Sequence, residues 1–119
     1  MADLDPGLVE KYRYDYEVIR QTASLVIKDF AATGIKITFS GNEETAYAEL
    51  NAQVTEAVTQ LGRNAPEALH ALLYRVDVDE AMVSNLISTL PAGRHAECLS
   101  RLILERELTK AVFRKLFSR

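Results

Sequence analysis

The chain reads as an all-α domain of about five helices. Apolar residues recur at three- and four-residue spacing through most of its length, and Asx and Ser caps punctuate that periodicity. The five glycines are scattered about one per junction, as caps and turns are. One short segment breaks the pattern. Ile35, Ile37 and Phe39 alternate with Lys36, Thr38 and Ser40, the period of a half-buried strand.

The first helix is expected to open at Asp5-Pro6, where Asp5 can accept first-turn amides and Pro6 gives up an amide that would be unpaired anyway. Its stripe is Leu8, Tyr12, Tyr16, Ile19, Ala23, Val26 and Phe30, running without a break to Gly34. Tyr12 and Tyr16 lie on that stripe, while Tyr14 is rotated away from it. The extended segment 35–40 then leads to Ser40-Gly41-Asn42-Glu43, a capping box expected to open helix two. That helix carries Tyr47, Leu50, Val54, Ala57 or Val58, and Leu61, and Gly62 closes it. Asn64 is the expected cap of helix three, which carries Leu69, Leu72, Leu73 and Val76. Asp77 and Glu80 form a third box, so Asp77 is expected to cap helix four with Met82 or Val83, Leu86, Ile87 and Leu90. Pro91-Ala92-Gly93 breaks the pattern, and the last helix runs from about Arg94 to about Phe117. The first and last helices are expected to be long antiparallel partners.

The last helix is apolar on two sides. Cys98, Leu99, Leu102, Ile103, Phe113, Leu116 and Phe117 fall on one, and Leu104, Leu108, Ala111 and Val112 roughly opposite. Such a helix is either central in its bundle or shared with a partner.

At 119 residues, with 48% hydrophobic and 26% charged content, one domain spanning 1–119 can bury a core without a staple. Residues 1–5 are expected to be disordered. Cys98 is the single cysteine, so no intrachain disulfide can form, and a reducing, cytoplasmic setting is the expectation. The N-terminus carries no signal-peptide pattern, and no apolar run approaches membrane-spanning length.

A net charge of -3 argues against a generic binder of DNA or RNA. Residues 72–86 have helix-turn-helix spacing, but Asp77, Asp79 and Glu80 would meet the phosphates, and helix four holds no Lys or Arg. His95 and Cys98 share a helical face, yet too few further ligands exist for zinc, and Cys98 sits among apolar neighbours. No phosphate loop, catalytic set or cofactor motif is present.

Charge is unevenly distributed. From Asn42 to Glu80 eight acids face Arg63 and Arg75 alone, whereas six bases outnumber Glu105 and Glu107 from Arg101 to Arg119. The pattern fits solvated faces with bases matched to a helix C-terminus, or a basic tail meeting an acidic middle within or between copies.

Two functional expectations follow. The first is a non-enzymatic interaction or scaffold domain that self-associates as a homodimer, or binds another protein. Its interface would use Ile35, Ile37 and Phe39, through antiparallel strand pairing across a two-fold axis, together with Leu104 and Leu108; alternatively the segment lies over the helices as a solvated connector. The second is a ligand-binding or catalytic bundle with a pocket from Tyr14, Tyr47, His70, Tyr74 and Arg75. No metal and no cofactor is expected in either.

Overall fold

The computed structural model describes residues 4–117. Six α-helices follow in order: α1 Pro6–Tyr12, α2 Tyr16–Ala31, α3 Ala46–Asn64, α4 Pro66–Val76, α5 Glu80–Thr89 and α6 His95–Phe117, the last preceded by a single 3-10 turn, Ala92–Arg94. No β-strand occurs among the described residues. The expected disorder of residues 1–5 lies outside them for residues 1–3. Leu4 packs on the core and Asp5 caps α1 by accepting from the Gly7 amide.

α6 is the central helix, touching each of the other five. Lys115 reaches Asp15 at the start of α2, while Glu107 and Lys110 lie by Asp29 near its end, so α2 and α6 run in opposite senses. The larger core joins α2, α3, α4 and α6 through Phe30, Leu50, Val54, Leu72, Val76 and Ile103. A smaller one joins Val9, Val18, Leu25, Leu108, Ala111 and Val112. Both sides of α6 are therefore covered within one chain. Leu104 and Leu108 are buried there, so they do not form a second apolar surface.

The expected first helix is two helices. Asp15 takes an extended conformation and accepts from the Val18 amide, restarting the chain as α2. A carboxylate that can cap its own next turn competes with an unbroken ladder. The break shifts the phase of the stripe, and Tyr16, expected inside, is half exposed with Arg20 on its ring. The stripe from Ile19 to Phe30 is buried as read.

α2 ends in a Schellman motif. Ile35 N–H bonds to Phe30 O at 3.2 Å and Gly34 N–H to Ala31 O at 3.0 Å, with Gly34 at φ +86°. The segment that follows alternates as predicted, with Ile37 buried, Ile35 and Phe39 half-buried, and Lys36, Thr38 and Ser40 exposed. Its backbone partner is a side chain. The Gln53 carboxamide accepts from Thr38 N at 2.9 Å and donates to Thr38 O at 2.8 Å, as a neighbouring strand would. Glu49 accepts from Ser40 N at 3.0 Å. The segment is a connector strapped to α3.

The Ser40–Glu43 box does not open α3. Ser40 Oγ accepts from Asn42 N and Asn42 Oδ1 from Glu44 N, a run of local turns that delays the helix to Ala46. Gly62 stays inside α3, and Ala65, not Asn64, joins α3 to α4.

Asp77 also plays a different part from the one expected. It ends α4 in the left-handed region at φ 70°, with Val78 N–H on Leu73 O and Asp77 N–H on Tyr74 O, a second Schellman motif. Asp79 caps α5, accepting from Ala81 N at 2.8 Å and Met82 N at 3.3 Å. The cap moved by two residues because Asp tolerates the left-handed position that the turn needs and a second Asp was available beyond it. Cys98 is half-buried at the edge of the larger core, less enclosed than its helical position suggested.

Candidate functional site

Two regions hold chemistry that the rest of the fold does not. The first is a charge cluster sealed between α2 and α6. Glu107 is 0% exposed and Asp29 7% exposed. Lys110 Nζ stands 2.7 Å from Glu107 Oε1 without the alignment of a hydrogen bond, and neither carboxyl oxygen of Glu107 has a hydrogen-bond partner among the described residues. Lys110 Nζ lies 3.9 Å from Asp29 Oδ2, and Arg75 Nε 3.2 Å from Asp29 Oδ1.

Burial pushes the Glu107 carboxyl up to about 8, the adjacent Asp29 adds to the rise, and Lys110 opposes it. In its protonated form Glu107 can donate to Asp29, whereas the ionised form has Lys110 as its counter-charge. A carboxyl with this affinity for a proton resembles a general acid, but a general acid must reach its substrate. Glu107 has no exposed surface through which to reach one.

The second region is an open cleft of about 660 Å³ between α4 and α5. Leu73, Val83 and Ile87 give it an apolar wall, and Tyr74 stands beside them 80% exposed. Ile87 is 52% exposed. Asp77, Asp79 and Glu80 line one end, and His70 also faces in. The left-handed turn at Asp77 sets this geometry, since it sends α5 away from α4 immediately after Val76. Arg106 fixes the turn by binding the Asp77 carbonyl at 3.1 Å and its carboxylate at 3.0 Å.

The five residues expected to share a pocket divide among three places. His70 and Tyr74 meet in the α4–α5 cleft. Tyr14 and Tyr47 meet edge to face at 6.0 Å at the α1–α2 junction. There the Tyr47 hydroxyl donates to Arg13 O, and burial pushes that hydroxyl up to about 12. Arg13 in turn grips Glu105 through Nη2 at 2.8 Å and 3.0 Å, tying the junction to α6. Arg75 turns to Asp29. Of the residues expected at an interface, Ile37, Leu104 and Leu108 are buried and Ile35 and Phe39 pack on the core of their own chain.

Asp29, Glu107 and Lys110 were not anticipated as a group. One signal was present: Glu107 falls at helical spacing between Leu104, Leu108 and Ala111, in the middle of a stripe that is otherwise apolar. His95, considered as a metal or thiol partner, has its Nε2 2.8 Å from Leu90 O. Among the described residues, no group of three or more His, Cys, Asp or Glu side chains is placed to hold a metal ion, and no helix is long and apolar enough to cross a membrane.

No protein-family model matches the chain, and no curated protein and no solved structure matches it either.

Proposed function

We propose that this chain is a non-enzymatic interaction domain whose docking surface is the cleft between α4 and α5. One observation carries the reading. Two exposed apolar side chains of neighbouring helices, Tyr74 and Ile87, flank one open cleft, while the group with the most perturbed acidity, Glu107, is closed to any substrate. Exposed aromatic and aliphatic side chains around a concave surface with a charged edge are the usual make-up of a protein-binding patch. The acids at one end set a preference for an apolar segment that also carries positive charge.

A photo-crosslinking residue at Ser84, inside the cleft, tests this in cells, with Ile87→Glu as the control. Ile87 is half exposed, so Ile87→Glu should leave the melting temperature nearly unchanged. It should abolish the crosslinks made from Ser84. Crosslinks that survive Ile87→Glu, or a small metabolite that alone raises the melting temperature strongly and is displaced by cleft substitutions, would contradict the reading.

A further inference from the structure

We infer that the occupant of the α4–α5 cleft is the last two turns of α6 from a second copy of this chain, so that copies join head to tail. The inference rests on the docking reading above and names the partner. The acids at the cleft edge favour a segment of opposite charge over a second acidic cleft. The fitting occupant combines apolar area with positive charge.

The end of α6 has that composition. Phe113 and Phe117 pack with ring centroids 4.8 Å apart and planes tilted by 45°, and Phe117 is 62% exposed. Arg114 stands exposed between them. The aromatic pair matches the wall of Leu73, Val83 and Ile87, and the guanidinium matches Asp79 and Glu80.

The same chain cannot supply this segment to its own cleft. Lys115 is bound to Asp15 and Glu17 at the start of α2, at 3.1 Å and 3.4 Å. Arg106 holds Asp77 at the edge of the cleft. Phe117 stands eleven positions beyond Arg106 on the helix, which carries it about 16 Å along the axis from that anchor. The contact therefore joins two copies. It is heterologous, with a free cleft at one end and a free tail at the other, so it builds chains or closes into a ring.

Light scattering on the full chain at low salt tests this with three proteins: the parent, Ile87→Glu and Phe117→Glu. The parent should gain mass with concentration and lose it as salt screens the acidic end of the cleft. Each variant alone should remain a monomer. An equal mixture should form a complex of two copies and no more, because one variant keeps its tail and the other its cleft. If either variant melts early, Ser84→Glu and Arg114→Glu take its place, both sites being exposed. A parent that stays monomeric near millimolar concentration, or a mixture that stays monomeric, overturns the inference. If Ile87→Glu is monomeric while Phe117→Glu associates like the parent, the end of α6 falls as the occupant and the docking cleft stands. If both variants associate like the parent, both fall.

Discussion

A carboxyl sealed in a helix interface keeps its proton, because charging it there costs more than charging it in water. Glu107 is in that position, and the sign of its effect on stability follows. The folded chain holds the Glu107 proton up to about pH 8, whereas the unfolded chain releases it in the ordinary carboxylate range, near the reference 4.5. Between those values the folded state binds more protons than the unfolded one. The stabilisation is thus complete below the unfolded value and is lost as pH rises through the folded one. Glu107→Gln keeps the shape and cannot ionise. Its melting temperature should match the parent at about pH 4 and exceed it at about pH 9, the gap opening between the reference 4.5 and about 8, where the unfolded parent is ionised and the folded parent is not. Parallel profiles across that range would show that Glu107 is ionised in the fold. At the same scale, the inward set Ile35, Ile37 and Phe39 was legible in the sequence because a period of two leaves one choice of face. The Asp29–Glu107 pair was less legible, because it brings together residues 78 positions apart and depends on how α2 meets α6.

Element boundaries depend on which of several capable side chains reaches the backbone first. Asp77 and Asp79 could each cap α5 by composition. The chain uses Asp77 for the left-handed end of α4 and Asp79 for the start of α5, since one residue cannot satisfy both geometries. The break at Asp15 has the same origin, a local carboxylate that restarts the ladder inside an apolar stripe that reads as continuous. Of the stripe read for helix two, Leu50, Val54, Leu61 and both Ala57 and Val58 are buried and Tyr47 is half-buried, whereas Ile87, read on the stripe of helix four, is exposed. The lone extended segment posed a question of unmet backbone groups, and the Gln53 carboxamide meets two of them. Gln53→Ala should therefore loosen the connector selectively. Amide hydrogen exchange at Thr38 should quicken by tenfold or more, about 1.4 kcal/mol of local opening, while exchange in α6 stays near the parent rate. Equal exchange at Thr38 in both proteins would mean that the strap contributes nothing.

Across the whole molecule, one feature orders the rest. α6 is enclosed by the other helices along most of its length, so Leu104 and Leu108, read as a surface for a partner, are consumed within the chain. Among the apolar side chains left outside are those of the α4–α5 cleft with its acidic edge and those of the aromatic, basic end of α6. The unequal charge distribution of the sequence already hinted at a basic tail and an acidic middle. The fold adds that the tail is tied to α2 and held away from the acids of its own cleft. Residue-resolved amide chemical shifts recorded from low micromolar to near-millimolar concentration test the docking account most directly. The account predicts concentration-dependent shifts at Leu73, Tyr74, Ser84 and Ile87 and, in parallel, at Phe113, Arg114 and Phe117, with the connector 35–40 unmoved. Shifts centred on Ile35, Ile37 and Phe39, with the α4–α5 cleft silent, would contradict it.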